Sequence, residues 1–379
     1  MFEMSAISMK IFRQLRAVLM LLPALLVVPL VAAADFAQGV AAYKQADYRS
    51  ALVIFNEGAG HNDTRAQFAL GLMYENGEGL TADLAQALEW YTKSADQGYA
   101  KAQYQLGLLY LKGRGVKRDD SRAGEWFARA AEGGNPDAVA RYRQFAEDGD
   151  IEAQYHLALM TLRGSGVARD PKAAAGWLQR AAGRGHLSAM FSYARLFETG
   201  RGVARSYHEA ADWYDRAAGQ GDPRAMFNLA GLYRQGLGVT SDLTKAEQYY
   251  TQAAAAGYAP AALTLGVLYE QGAQWPKDPT LAAQWYEQAA RLGSTDAQIN
   301  LGCLYADGLG VAQDLETAYA WFYTAQQFDH PAALDNLALV AAQLDEEGVA
   351  AGQAEGLALL EAIQSKLTAP LPTAAGKRQ

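Results

Sequence analysis

The amino-acid sequence predicts an all-α protein, an α/α solenoid in which helix pairs stack one upon the next. Three observations carry that prediction. One residue pattern restarts at Ala66, Ala102, Ala153, Ala189, Ala225, Ala261 and Ala297, 36 residues apart except at one step. Each copy holds two apolar stripes at helical spacing, divided by a glycine-rich loop. A unit of that length cannot bury its own apolar face, so it must stack on its neighbours. Half of the 379 residues are apolar, more than one globular core usually holds, and a repeat array removes that limit.

At the N-terminus, Lys10, Arg13 and Arg16 precede an apolar run over 17–31 that closes on Ala32, Ala33 and Ala34. That order predicts a signal peptide over 1–34, with the mature chain starting near Asp35 and residing in the periplasm or outside the cell. The run is short for a membrane span and is interrupted by Pro23 and Pro29, so no span is expected after cleavage. The absence of a cysteine beside the cleavage point argues against a lipid-modified cysteine. Cleavage would remove three basic residues and Glu3, taking the formal charge from −8 to −10, which excludes a bulk nucleic-acid binder. Cys303 is the single cysteine, so no intramolecular disulfide can form and packing must supply the stability.

Residues 35–65, with Tyr43, Asp47, Tyr48, Ala51, Leu52 and Phe55, read as an opening helical hairpin. Repeats one and two follow over 66–137, and repeats three to seven over 153–332. In the first helix of each repeat, the fourth, seventh and eighth residues after the opening alanine are large and mostly apolar, as in Leu70, Met73 and Tyr74. The fifth is always small: Gly71, Gly107, Ala158, Ala194, Ala230, Gly266 or Gly302. A small residue lets a neighbouring helix approach closely, at some cost in helix propensity for glycine. The loop then leads to Asp83, Asp119, Asp170, Ser206, Asp242, Asp278 or Asp314, all good N-cap residues, and Pro171 and Pro279 follow at the first helical position. Caps explain the serine and the prolines better than a row of metal ligands would. The second helix carries an adjacent pair, Trp90-Tyr91, Trp126-Phe127, Trp177-Leu178, Trp213-Tyr214, Tyr249-Tyr250, Trp285-Tyr286 and Trp321-Phe322. Adjacent helical residues point about 100° apart, so at least one of each pair must face the core.

The step from Ala138 to Ala153 is 15 residues, room for one helix and a turn. Tyr142 and Phe145 take the fourth and seventh positions of a first helix, so 138–152 reads as a single-helix insert that lacks its second helix. Residues 333–367 read as a degenerate closing hairpin without the glycine loop, and 368–379 as a flexible tail.

These residues resemble the Sel1-like repeat family, a relative of the tetratricopeptide repeat. The pattern resembled is A-x-x-x-L-G-x-x-Y-x-x-G-x-G-V-x-x-D followed by A-x-x-W-Y-x-x-A-A-x-x-G, in seven copies over 66–332. The opening hairpin is similar to the tetratricopeptide type. The resemblance implies a non-enzymatic scaffold, since exported bacterial members are often envelope adaptors, including regulators of sensor proteins and components of exopolysaccharide export. Cysteine-rich members are associated with penicillin binding and hydrolysis, an alternative weakened here by the missing paired cysteines.

Three surfaces are candidates for binding. The third position of the first helix is polar amid apolar neighbours: Gln105, His156, Ser192, Asn228, Thr264 and Asn300, with Arg195 on the same face. Such residues offer hydrogen bonds and are expected to be dispensable to the core, which suits a protein partner. The loops after three first helices carry Lys112, Arg114, Lys117, Arg118, Arg163, Arg169, Arg201 and Arg205, a locally basic edge that could meet an anionic polysaccharide or an acidic protein face. Trp275 replaces the loop valine of its repeat and is a possible aromatic contact, or simply fills that pocket. No catalytic constellation, cofactor or metal site is expected: His61, His156, His186, His208 and His330 are scattered, and Cys303 has no evident histidine partner.

Overall fold

The computed structural model describes residues 28–368, with side chains from residue 36. Residues 1–27 of the expected signal segment over 1–34, and residues 369–379 of the expected tail over 368–379, lie outside the described residues. Among the described residues there are nineteen helices and no strand, in two compact units divided between Asp170 and Pro171. The first unit holds α1 (Val28–Lys44), α2 (Tyr48–Gly60), α3 (Thr64–Asn76), α4 (Leu84–Asp96), α5 (Ala100–Lys112), α6 (Asp120–Glu132), α7 (Pro136–Glu147) and α8 (Ile151–Arg163). The second holds α9 (Pro171–Gly183), α10 (Leu187–Thr199), α11 (Tyr207–Gly219), α12 (Pro223–Gln235), α13 (Leu243–Ala255), α14 (Ala259–Gln271), α15 (Pro279–Arg291), α16 (Thr295–Asp307), α17 (Leu315–Gln326), α18 (Ala333–Ala341) and α19 (Glu346–Thr368). No described helix is long and apolar enough to cross a membrane.

The repeat's recurrent residues act as packing parts. The second member of each pair is buried, as in Tyr91, Phe127, Tyr214 and Tyr286, and where the fifth position is glycine the ring of Tyr91, Phe127, Tyr286 or Phe322 lies on it. A methyl added at Gly71 would sit 2.5 Å from the Tyr91 ring, and one at Gly107 would sit 2.6 Å from Phe127. Contact that close forces the fifth position to stay small. The first member is half-buried in most repeats, and a cation one turn on covers its face: Lys93 lies 4.3 Å over Trp90, Arg129 4.8 Å over Trp126 and Arg216 4.5 Å over Trp213. The aromatic ladder is therefore largely consumed by the fold.

The row of aspartates caps helices. Asp83, Asp119, Asp242, Asp278 and Asp314 each accept a backbone N–H two or three residues on, and Ser206 does the same for Glu209. Each such bond satisfies one of the donors a helix start leaves free. The first helix ends on a glycine in the left-handed region, for example Gly113 at φ 65°. The second loop glycine seats the loop on the preceding repeat: a Cβ at Gly238 (φ 70°) would lie 2.2 Å from the Tyr207 carbonyl carbon.

At the insert, α7 starts as a first helix and finishes as a second one. Asn135 caps it by accepting the Ala138 N–H at 2.9 Å, as Asp63 and Asp222 cap α3 and α12. It leaves through Gly149 (φ 97°), and Gln154 Nε2 donates to the Ala146 carbonyl at 2.9 Å. Gln103 holds Ala95 at 3.0 Å in the same way after a true second helix. Tyr142 thus stands seven residues before its exit glycine, as Tyr91 does before Gly98, and is buried like it. The reading of a first helix without its second is half of the description, because one helix closes both interfaces.

At the C-terminus α19 packs on α17 through Gly352 and Gly356, while Gly348, one turn earlier, faces Leu344 and Asp345. A Cβ at Gly352 would lie 2.8 Å from the Glu316 carbonyl oxygen. Thr324, buried on α17, donates to the Gly356 carbonyl at 3.2 Å.

Candidate functional site

The polar third-position residues lie on α5, α8, α10, α12, α14 and α16, and all six are half-buried, with Arg195 exposed. Gln105 and His156 belong to the first unit; Ser192, Arg195, Asn228, Thr264 and Asn300 belong to the second. Beneath the row runs a set of hydrogen bonds from buried tyrosines. The Tyr91 hydroxyl donates to Glu75 at 2.7 Å, that of Tyr214 to Glu198 at 2.6 Å, and that of Tyr286 to Glu270. In each case the carboxylate comes from the first helix and the phenol from the second helix of one repeat.

The pairing follows the ring chemistry. Where the second helix carries Phe127, Leu178 or Phe322, the position that would supply the carboxylate holds Leu111, Leu162 or Ala306. Tyr250 is matched instead by Arg234, whose interaction with the hydroxyl opposes the rise that burial gives this phenol. A buried hydroxyl without a partner costs free energy, so a polar residue appears only where a tyrosine demands it. Burial, followed by the carboxylate bond, pushes the phenols of Tyr91, Tyr214 and Tyr286 well above their ordinary value of 10.0.

Two row residues belong to this network. Asn228 Nδ2 donates to the Tyr214 hydroxyl at 2.9 Å, and Asn300 offsets part of the rise that burial and Glu270 give the Tyr286 phenol. The expectation that they are dispensable to the core is therefore corrected: each supports the tyrosine of the preceding repeat. The charge of Arg195 acts on the same Tyr214 hydroxyl. In the second unit the face thus presents a pre-ordered set of donors and acceptors around Glu198, Tyr214, Asn228, Glu270, Tyr286 and Asn300.

The basic loops are less free than the sequence suggests. Arg114 Nη1 pairs with Glu75 Oε1 at 3.0 Å, and Arg118 clasps Asp120 with two bonds of 2.8 and 2.9 Å. Arg205 lies 5.6 Å over the Tyr207 ring. Lys112, Lys117, Arg163, Arg169 and Arg201 are exposed. Trp275 is 7% exposed, and its indole donates to Glu247 at 3.3 Å, so the contact reading gives way to the filled pocket. Cys303 is half-buried, and burial, then Asp307 and Glu270, pushes its thiol up, away from the reactive thiolate. Among the described residues no group of three His, Cys, Asp or Glu is placed to hold a metal ion.

The Sel1 repeat family profile matches residues 64–99, 100–135, 151–186, 187–222, 223–258, 259–294 and 295–325, leaving out the segment that forms α7. Among solved structures, the chain is similar to a Sel1 repeat protein from Oxalobacter formigenes at 31% identity, covering 82% of this chain and 87% of that one, with a TM-score of 0.51. It is also similar to c5321, a protective antigen present in uropathogenic Escherichia coli strains displaying an SLR fold, at 26% identity, 92% and 97% coverage and a TM-score of 0.37. Comparison with curated proteins returns no match. The seven matched repeats take in more than half of the residues, and the chain belongs to the Sel1 repeat family.

Proposed function

We propose that this chain is an exported, non-enzymatic adaptor that holds a protein partner along the polar row of the second unit. The Sel1 solenoid is a fold typical of protein-interaction scaffolds. One observation carries the finer reading: Asn228 is half-buried on its helix face and held there by its 2.9 Å bond to the Tyr214 hydroxyl. Groups held in place before binding lose little freedom on binding, which favours a specific contact. Export is supported by the basic, apolar and small-residue order of residues 1–34, and envelope regulation is the matching context.

A protein partner fits better than an anionic polysaccharide, because two cations of the basic edge, Arg114 and Arg118, already face carboxylates. The test is crosslinking of the mature chain in envelope extract, followed by binding kinetics with the captured partner. Replacing Ser192, Thr264 and Arg195 with Ala should raise the off-rate, each lost buried contact weakening binding by about 1–3 kcal/mol. Unchanged off-rates in the triple variant would move the site away from the row.

A further inference from the structure

The second loop glycine of a repeat sits on the first residue of the preceding second helix. Gly79 meets Tyr48, Gly115 meets Leu84, Gly202 meets Pro171, Gly238 meets Tyr207 and Gly310 meets Pro279. After α6 this cover is missing, because α7 has no such loop. The next loop glycine, Gly166, instead meets Ala131 and Gly134 at the far end of α6. The first residue of α6 is Asp120, where the other second helices have Leu, Tyr or Pro.

The uncovered face opens a cleft of about 380 Å³ between α6, α7 and α8. Its walls include Gly124, Ala128 and Ala153, its floor Tyr142 and Phe145, and its rim Glu125, Asp150 and Glu152. Glu125 has no ion pair among the described residues, and no basic residue lines the cleft apart from His156. Tyr142 is 4% exposed, yet its hydroxyl has no hydrogen-bond partner among the described residues. The equivalent hydroxyls of Tyr91, Tyr214 and Tyr286 all bond to a glutamate from the first helix of their own repeat, the element α7 lacks.

We propose that this cleft receives an arginine side chain from a basic peptide segment of a partner protein. Glu125 would meet the guanidinium through charge-assisted hydrogen bonds, while Glu152, 4.0 Å from His156, and Asp150, which caps α8 by accepting the Ala153 N–H at 2.8 Å, would add their negative charge to the rim. Phe145, half-buried and lining the cleft, would supply an aromatic ring to the same cation, and the small residues of α6 would admit its methylene stem. The Tyr142 oxygen, held protonated by burial and by the nearby Asp150 and Glu152, would accept the remaining N–H. The site lies wholly in the first unit and does not rest on the polar row.

The test is titration of the full chain with a fluorescent tetra-arginine amide at low salt, with a tetra-glutamine amide and free arginine amide as comparisons. Tetra-arginine should bind saturably, and tetra-glutamine should not. Combining Glu125→Gln with Glu152→Gln should weaken binding by about tenfold or more, and Tyr142→Phe by several-fold. Glu361→Gln, which removes one exposed carboxylate from α19, should change nothing, nor should Asn228→Ala on the row. If the double variant loses helicity by circular dichroism, Tyr142→Phe decides, because it keeps the ring. Absence of binding, equal weakening by Glu361→Gln, or loss only with Asn228→Ala would each overturn the proposal. So would arginine amide binding as tightly as the peptide, which would make the cleft a small-cation site.

Discussion

Tyr214 and Tyr142 fill the same packing position in two differently built parts of the molecule. Both rings are buried, and both stand seven residues before an exit glycine. The Tyr214 hydroxyl is bonded to Glu198 and Asn228, whereas that of Tyr142 meets no partner among the described residues and faces a cleft. The polar chemistry of a repeat is thus assembled across its two helices. Remove one helix and loop, and the ring still packs while its hydroxyl loses the glutamate that would bind it.

The largest expected effect tests the half that the two regions share. Tyr214→Ala and Tyr142→Ala should each lower stability by about 3–5 kcal/mol in denaturant unfolding, because both leave a ring-sized void. A small loss for Tyr142→Ala would show that α7 is not packed as a repeat helix. Hydroxyl removal tests the half that differs. Tyr214→Phe strands Glu198 and Asn228 and should cost about 1–3 kcal/mol, whereas Tyr142→Phe strands nothing and should lie within about 0.5 kcal/mol of the parent. Equal costs would erase the distinction.

Alkaline titration extends the comparison. Burial raises both phenols above the ordinary value of 10.0, and Tyr249, half-buried and bonded to Asp215, is pushed up to about 12. Above the unfolded pKa the unfolded chain releases protons that the folded chain still holds, so stability should be constant up to about pH 10 and fall beyond it. Either Tyr→Phe variant should flatten that fall in unfolding curves recorded between neutral pH and about pH 12. An undiminished fall in both would mean that other groups set it.

The parts legible in the sequence are those repeated often enough to reveal their physical role. Seven small fifth positions, six aspartate caps and six aromatic pairs each reflect one local rule, so the order of helices follows from spacing and residue type alone. The tyrosine–glutamate couples carry a signal too, since Glu75, Glu198 and Glu270 recur only with Tyr91, Tyr214 and Tyr286. Seeing it requires comparing two columns 16 residues apart rather than reading each alone. The Asn228 bond crosses from one repeat to the next and follows from the packing of α11 on α12, which spacing does not give. The cleft is the least legible feature, because it arises from a loop that is missing. The glycines at 352 and 356 are poor helix formers by propensity, and only the close approach of α17 gives them a role.

The smallest expected effect concerns Arg118, which joins the two themes of loop charge and open cleft. Its guanidinium clasps Asp120, a residue of the cleft wall, on a solvent-exposed surface where both groups remain hydrated. Exposed ion pairs of this kind contribute little to folding, so Arg118→Ala should leave the unfolding midpoint unchanged. Its effect should instead appear in the cleft. Without the arginine, Asp120 adds an uncompensated negative charge beside Glu125, and tetra-arginine should bind about threefold more tightly at low salt, with the gain fading as salt rises. The same substitution lowers the basic charge of the loop edge, so a partner recognised by that edge would bind more weakly. The two outcomes have opposite signs, and one titration of Arg118→Ala against the parent chain separates a cleft that attracts cations from an edge that attracts anions.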